Sequence, residues 1–523
     1  MNDPTQMIVG GLVRVAQGFA AAAPTLLVGL VIAAILRYYL GRDGICRLFG
    51  GNTIRSLPQS WLIGMLLPVC SIGVLPILRE MRRAGMKPGA MAAFALSAPL
   101  FNPLSLLYGL TLSRPLVIIL FAIGSLVIVT ALGLLWDAIQ PRSGAAKESA
   151  AFAADPVPAN EPIGVQRLAA VATHIGREAT GPTLALTLLA LSGLAILAAV
   201  FPYGALQTSV EQDDPMAPLT MLMVAVPVYA TPMLAMSQLG MMFQHANSPG
   251  AAFTLLILGT GANLATPYWF SRQYGWKASG TWFLCLLLIV LGISYAVNQP
   301  LIPAGVEPAG HTHAFDIYAN PLPANQANIW NAGKTAVAES IGIAEAAALI
   351  GLGLIAVLGL VLRGLGIDES RWQNSSATLP VETPKTWDMI VPRSVIGTAM
   401  LVGLVALSVV ACFAYYPPPQ ECLEEIRMAR TECLSAASSG DTKHALFWLP
   451  VWEEWSRRLE VATFLRRGQV RPYQRMQGYL IRKKLELLEH ELEHDPLEPA
   501  EIKAALDGIY ATNTRWVNSF RTD

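Results

Sequence analysis

The stretch WLIGMLLPVCSIGVLPILREMRRAGMKPG, residues 61–89, decides how this chain folds. It begins as an apolar segment suited to a membrane, but Pro68 and Pro76 enclose the small polar patch VCSIG at residues 69–73. Each proline removes a backbone donor and interrupts a helix. Non-helical backbone at membrane depth is tolerated only inside protein or beside a water-filled cavity. The patch is therefore expected to line such a cavity.

The composition indicates a membrane protein. Of 523 residues, 53% are hydrophobic and 14% are charged, whereas a soluble domain has about 25% charged residues. Apolar stretches recur that are long enough to cross a bilayer core of about 30 Å. We predict an all-α polytopic membrane protein of eight crossings, at about residues 19–36, 89–111, 116–136, 181–201, 251–270, 280–297, 341–362 and 394–415.

Two further apolar stretches, 61–78 and 218–238, are interrupted by proline and either span the membrane or return to the same side. If both span, the connecting segments carry 10 and 11 Lys and Arg residues on the two sides. If both are re-entrant hairpins, the sides carry 18 and 3. Since cytoplasmic loops are enriched in Lys and Arg, we predict two re-entrant hairpins, with merely kinked helices as the alternative.

An internal repeat follows these stretches. KPGAMAAFALSAPLFNP (87–103) resembles SPGAAFTLLILGTGANLATP (248–267), and each has an Asn 14 residues after its proline, Asn102 and Asn263. A single intramembrane amide is commonly a helix–helix contact, but two at matching positions indicate a site. Three crossings separate the repeats, so the repeats have inverted topology, as in many secondary transporters.

The candidate substrate-binding residues lie in and after the two hairpins. Polar side chains and free helix ends there offer hydrogen bonds to a solute without formal charges in lipid. The predicted set is Cys70, Ser71, Ser97, Asn102, Tyr229, Thr231, Thr260 and Asn263.

The first of these segments resembles the signature of the ArsP/YraQ-type predicted permeases. The residues that carry the resemblance are Pro68, Cys70, Ser71, Pro76, Pro88, Gly89, Phe94, Ser97, Pro99, Asn102 and Pro103. The resemblance implies a polytopic permease over residues 15–300, and some relatives export trivalent organoarsenicals. Relatives often have Cys-Ser-Cys in the first hairpin, whereas Ile72 here leaves Cys70 alone.

The predicted organisation has six parts. They are a first membrane repeat (1–137), a flexible cytoplasmic linker (138–178), a second membrane repeat (179–298), an extracytoplasmic loop (299–340), two further transmembrane helices (341–416) and a soluble helical domain (417–523). The last part has 15 basic and 17 acidic residues, with helical apolar spacing through YQRMQGYLIRKKLELLEHELEH (473–494). Its two cysteines, Cys422 and Cys433, are predicted to form a disulfide outside the cytosol.

The sequence predicts a secondary-active exporter of a small molecule or metalloid in the plasma membrane. A passive channel on the same scaffold, or a thiol-redox enzyme using Cys70, are the alternatives. The sequence contains no Cys-x-x-Cys, His-Glu-x-x-His or Gly-rich phosphate loop, so we predict no enzyme activity, no metal, no cofactor and no nucleic-acid partner. The lipid bilayer is the expected surroundings, and the C-terminal domain is expected to contact a second copy or an accessory protein.

Overall fold

The computed structural model of the chain describes residues 4–51, 53–112, 115–139, 165–206, 211–212, 214–302, 312–322, 328–367, 392–493 and 497–521. Within these ranges the chain forms helices joined by turns and contains no β-strand. The prediction of an all-α protein is confirmed.

The helices differ widely in length. In chain order the α-helices are α1 (Pro4–Ile35), α2 (Gly41–Leu48), α3 (Ser56–Leu66), α4 (Val74–Arg83), α5 (Pro88–Ser97), α6 (Pro103–Leu112), α7 (Pro115–Ile139), α8 (Val165–Ala179), α9 (Pro182–Val200), α10 (Ala217–Ala225), α11 (Pro232–Gln244), α12 (Pro249–Thr254), α13 (Ala265–Tyr274), α14 (Trp276–Asn298), α15 (Ile329–Glu339), α16 (Ile343–Gly364), α17 (Arg393–Tyr415), α18 (Pro419–Ser439), α19 (Thr442–Arg467), α20 (Pro472–Glu493) and α21 (Pro499–Arg521). Two π-helical segments, Leu36–Leu40 and Leu255–Thr260, and a 3₁₀ helix, His313–Tyr318, complete the set.

Six helical segments in the described part of the chain are long and apolar enough to cross a membrane, which makes this a multi-pass membrane protein. They are Pro4–Leu48, Pro115–Ile139, Val165–Val200, Trp276–Asn298, Ile343–Gly364 and Ser394–Tyr415. Each contains or overlaps one of the eight predicted crossings.

The other two predicted crossings, 89–111 and 251–270, are not continuous helices. Residues 98–102 separate α5 from α6, and residues 261–264 separate the second π-helical segment from α13. The two proline-containing stretches are interrupted in the same way, at residues 67–73 and 226–231. At each of these four interruptions one helix ends and a new one begins, so each of the predicted crossings 89–111 and 251–270 consists of two shorter helical segments.

The chain path through α3 and α4 turns back on itself. Leu57, at the start of α3, and Gly89, at the start of α5, both pack on Gly133 of α7. Gly64, near the end of α3, packs against Ser97, at the end of α5. The helices α3 and α5 therefore run side by side in one direction. Because only residues 84–87 join α4 to α5, α4 must return to the level at which α3 began.

The second repeat shows the same arrangement. Gly250, at the start of α12, packs against Pro218, at the start of α10, and against the carbonyl of Ser294 in α14. Here too the short turn 245–248 brings the chain back to its starting level.

One hydrogen bond recurs in both repeats. The backbone N–H of Gly89 donates to Asp137 Oδ1 over 2.9 Å, and that of Gly250 donates to Asn298 Oδ1 over 3.0 Å. The partners are 48 residues apart in each repeat, and the two bonds are offset by 161 residues, as are Asn102 and Asn263. The internal repeat therefore extends from the hairpins to the helices α7 and α14, beyond the similarity visible in the sequence.

The chain divides into two compact units. The first comprises Met1–Ser105 with Ile119–Ala406, and the second comprises Leu106–Ile118 with Leu407–Asp523. In the second unit α18–α21 pack as a four-helix bundle around buried side chains that include Ile426, Trp452, Leu459, Ile481 and Trp516. The sequence predicted a domain at 417–523 but did not predict that residues 106–118 belong with it.

The predicted flexible linker, 138–178, is helical where it is described. Residues 140–164 lie outside the described residues, but α8 is a regular helix with Ala170 and Thr173 buried. It packs against α16, where Gly176 and Gly359 approach closely. Residues 165–178 of the predicted linker thus belong to a regular helix whose apolar face is buried. The predicted loop 299–340 likewise contains a 3₁₀ helix and α15, while 303–311 and 323–327 lie outside the described residues.

Candidate functional site

The four helix interruptions of the first unit lie against one another. The hydroxyl of Tyr229, from interruption 226–231, interacts with the thiol of Cys70, from interruption 67–73. Gly261, in the fourth interruption, packs against Leu96 and Leu100 at the end of α5. The shared region formed by residues 67–73, 98–102, 226–231 and 261–264 is called the central site below.

Within the second repeat the two interruptions are also joined. The backbone N–H of Ala230 donates to the carbonyl of Gly259 over 3.1 Å, and Gly259 packs against Val228. The central site is therefore built from both repeats and from both interrupted stretches of each.

Eight helix ends surround the central site. Four helical segments end at it and α4, α6, α11 and α13 begin at it. The first turn of a helix has N–H groups without intrahelical partners, and the last turn has such C=O groups. These groups supply partial charges of both signs, while the residues of the four interruptions include no Asp, Glu, Lys or Arg. The central site is thus polar without any formal charge of its own.

The two repeat-related asparagines start new helices. Asn102 Oδ1 accepts from the backbone N–H of Ser105 over 2.7 Å, and Asn263 Oδ1 accepts from Ala265 over 2.8 Å and from Thr266 over 3.2 Å. These are N-cap contacts. The sequence predicted both amides midway along a helix. Asn102 followed by Pro103 is in fact a typical start signal for a helix, whereas Asn263 is followed by Leu264 and lacks this signal.

Three polar atoms in the central site are buried without a hydrogen-bond partner in the described structure. They are Ser71 Oγ, Tyr229 Oη and Asn263 Nδ2, on side chains that are 1%, 2% and 1% exposed. The Tyr229 hydroxyl lies beside the Cys70 thiol, but the contact does not have hydrogen-bond geometry. Buried polar groups are paired in most proteins, so three unpaired donors on the interruptions of the central site are unusual and are available to a ligand that accepts hydrogen bonds.

The remaining predicted site residues have hydrogen-bond partners close by in the chain. Ser97 Oγ donates to the Phe94 carbonyl over 3.4 Å, and Thr260 Oγ1 donates to the Leu256 carbonyl. Thr231 caps α11 by accepting from Leu234 N–H over 3.3 Å. Cys70 is fully buried, and its sulfur accepts from Gly73 N–H over 3.5 Å. The structure therefore separates the predicted set into residues with free donors and residues with local structural contacts.

The disulfide predicted between Cys422 and Cys433 is wrong. Both cysteines are free and buried, and both lie on the single helix α18. Eleven residues of helix separate them by roughly 16 Å, whereas the Cα atoms of a disulfide lie about 4.4–6.8 Å apart. Burial raises the pKa of each thiol to about 12. The even cysteine count reflects two core positions of the bundle instead.

Comparison with known proteins supplies a family. A family model described as a predicted permease, ArsP_1, matches residues 16–299. The UPF0718 protein YcgR of Bacillus subtilis (strain 168) is 32% identical over 85 residues, which are 16% of this chain and 29% of that relative. No solved structure matches the chain.

Proposed function

The chain belongs to the ArsP_1 family of predicted permeases, and we propose that it is a secondary-active exporter of a small uncharged solute that binds at the central site. The observation that carries this proposal is that three donors in the interruptions of the central site, on Ser71, Tyr229 and Asn263, are buried and unpaired in the described structure, with Tyr229 beside the Cys70 thiol. Ser71 comes from one interruption of the first repeat, 67–73, and Tyr229 and Asn263 come from the two interruptions of the second, 226–231 and 261–264.

The chemistry of the central site favours an uncharged solute. A buried donor left unpaired costs about 1–3 kcal/mol, and a solute with acceptor oxygens would satisfy all three at once. A charged solute would have to leave water without a counter-charge, at a cost of several kcal/mol. The single thiol of Cys70 adds one soft ligand, which suits a metalloid. Metalloids that carry hydroxyl groups combine these two features.

The proposed topology has eight crossings and two re-entrant hairpins in an inverted repeat. It is supported by the 18-to-3 distribution of Lys and Arg and by the return of α4 and α11 to the levels at which α3 and α10 begin. The positive side is proposed to be the cytoplasmic face of the plasma membrane. The C-terminal helices are proposed to contact a second copy or an accessory protein.

A two-step experiment tests the function. A strain lacking the protein is screened for sensitivity and accumulation with metalloids, organoarsenicals and small thiol-reactive compounds. Active solutes are then followed in vesicles that contain purified protein. Flux that needs a proton or sodium gradient supports a secondary transporter, and flux that needs neither indicates the passive channel.

Variants of the central site then test where the solute binds. Ser71→Ala and Tyr229→Phe each remove one unpaired donor, and we expect each to lower transport at least tenfold. Asn102→Ala is expected to abolish transport with expression intact. Ser97→Ala is the matched control, because its hydroxyl is already bound to Phe94, and it should transport normally. Normal transport by both Ser71→Ala and Tyr229→Phe would remove the assignment.

A further inference from the structure

A short loop segment, residues 312–322, is buried at the end of the first unit where α1 begins. It belongs to the predicted loop 299–340 and contains the 3₁₀ helix His313–Tyr318. Phe315 and Tyr318 are 0% exposed, Asn320 is 1% exposed and Leu322 is 2% exposed. Loops normally run over the surface of a protein. A loop segment that is buried to this degree therefore requires an explanation.

Helix α1 holds the second half of the segment with polar side chains. Gln6 Nε2 donates to the carbonyl of Leu322 over 2.7 Å, and Arg14 Nε donates to that of Ala319 over 2.9 Å. Arg14 also donates to the carbonyl of Asp316, and the carboxylate of Asp316 interacts electrostatically with the guanidinium. The segment thus supplies both acceptors and a counter-charge to a buried arginine.

Helices α11 and α9 hold the rest of the segment. Gln238 Nε2, on α11, donates to the carbonyl of Ala314 over 2.7 Å, and Gln238 Oε1 accepts from the Tyr318 hydroxyl over 2.8 Å. The backbone N–H of Asn320 donates over 2.9 Å to the carbonyl of Phe201, which directly follows α9. Irregular backbone at membrane depth needs such partners, and two helices supply buried polar side chains for it.

The three helices that hold the segment also border the interruption 226–231 of the central site. Gly18 of α1 packs against the ring of Tyr229, and Gly193 of α9 packs against the carbonyl of Pro227. Helix α11 begins directly after this interruption. The segment and the second-repeat half of the central site therefore share the same three helical walls.

The segment lies beyond the central site in the direction of the start of α1. Arg14 precedes Gly18 by four residues, roughly 6 Å along the helix axis. Gln238 follows Pro232, the first residue of α11, by six residues, roughly 9 Å along its axis. The segment is thus held one to two helical turns from Tyr229, on the side that the proposed topology makes extracytoplasmic.

We propose that residues 312–322 are a plug that closes the extracytoplasmic end of the pathway to the central site and withdraws when the solute leaves. Withdrawal would expose Gln6, Arg14 and Gln238 to water, which replaces the lost hydrogen bonds at a small net cost. The same side chains would then line a polar exit. The inference rests on the proposed permease function, because a plug has a use only where a solute passes.

The reaction of Cys70 with a membrane-impermeant maleimide tests the inference without any solute. Cys70 lies beside the Tyr229 hydroxyl and is fully buried while the plug is in place. Spheroplasts that contain the full chain are labelled from outside, and the Cys70 peptide is quantified by mass spectrometry. The labelling rate then measures how often the extracytoplasmic end is open.

A disulfide between α1 and the plug should keep this end closed. A Cβ atom placed on Gly10 would lie 2.6 Å from Cγ of Asn320. The Cβ atoms of the double variant Gly10→Cys/Asn320→Cys should therefore lie within about 4 Å of each other, which suits a disulfide. We expect oxidation to lower the labelling rate of Cys70 at least tenfold, and reduction before labelling to restore it. Wild type given the same oxidant is the control, because it has the same six native cysteines without the pair.

Weakening the plug should have the opposite effect. Tyr318→Phe leaves the buried oxygen of Gln238 without its donor, so the labelling rate of Cys70 should rise at least fivefold. Tyr295→Phe is the matched control, because the Tyr295 hydroxyl donates over 2.9 Å to the carbonyl of Pro215 instead. It should keep the labelling rate of wild type.

Two results overturn the proposal: a confirmed disulfide that leaves the labelling rate of Cys70 unchanged, or no labelling from outside in either wild type or Tyr318→Phe. An effect of the disulfide that is seen only in inverted vesicles contradicts the extracytoplasmic placement. If the cysteine pair does not form, equal labelling rates in Tyr318→Phe and Tyr295→Phe overturn the proposal. Because no solute is used, a failure of the transport assay leaves the labelling result intact, so the two failures are distinguishable.

Discussion

At the scale of single residues, the side chain of Asn263 has two hydrogen-bonding groups with different surroundings. Its oxygen caps α13, while its amide nitrogen is buried without a partner in the described structure. Substitution by aspartate keeps the first group and removes the second, because a carboxylate oxygen still caps a helix but a carboxylate has no N–H to donate.

We expect Asn263→Asp to lower transport at least tenfold while the protein still expresses and folds. Asn263→Ala should lose transport as well, and should also lower the free energy of unfolding by about 1 kcal/mol through the lost cap. Vesicle flux and thermal unfolding measure the two effects. Normal transport by Asn263→Asp would mean that Asn263 only starts a helix.

The two cysteines of the C-terminal bundle give a second prediction at this scale. With pKa values of about 12, Cys422 and Cys433 have roughly one thiolate in 10⁴ at pH 8, and the thiolate is the reactive form. We expect neither to react with iodoacetamide at pH 8 until the protein is unfolded, when both should react without a reducing agent. Peptides joined by a disulfide in a non-reducing digest would contradict the structure.

At the scale of elements, the sequence predicted the interruptions at 67–73 and 226–231 and placed further breaks at Pro103 and Pro267, close to the interruptions at 98–102 and 261–264. Proline pairs and polar patches mark the first two in the sequence. The other two lie in apolar stretches that hydropathy alone favours as continuous helices. Their breaks depend on the capping contacts of Asn102 and Asn263, which form only when the side chain folds back onto the next turn.

The bonds from Gly89 to Asp137 and from Gly250 to Asn298 give a prediction about repeat structure. Because the second repeat has asparagine at this position, Asp137→Asn should keep the bond and remain within about 0.5 kcal/mol of wild type in thermal unfolding. Asp137→Ala leaves the Gly89 N–H without its side-chain acceptor, which costs about 1–3 kcal/mol. Equal stability of the two variants would show that the bond does not position α5 against α7.

At the scale of the whole molecule, the membrane class and most long helices could be predicted from composition and hydropathy. The central site could be predicted in part, since Cys70 and Tyr229 were both named and the structure brings them together. The contacts of Arg79 and Glu80 with helix α8 could not be predicted, because in the sequence both residues resemble charges that only set the topology. Their contacts with His174 and Glu178 depend on how α8 packs against α4, and residues 165–178 were predicted to belong to a linker.

The central claim is that each repeat sends a hairpin into the membrane and back to the same face. The most direct test is labelling of single cysteines at Thr53, Lys87 and Met216 with a membrane-impermeant maleimide, in intact cells and in inverted vesicles. The account predicts that positions 53 and 87 react from the cytoplasmic face and position 216 from the opposite face. If position 87 reacts from the face opposite to 53, with 216 on the same face as 53, both stretches span the membrane and the account is wrong.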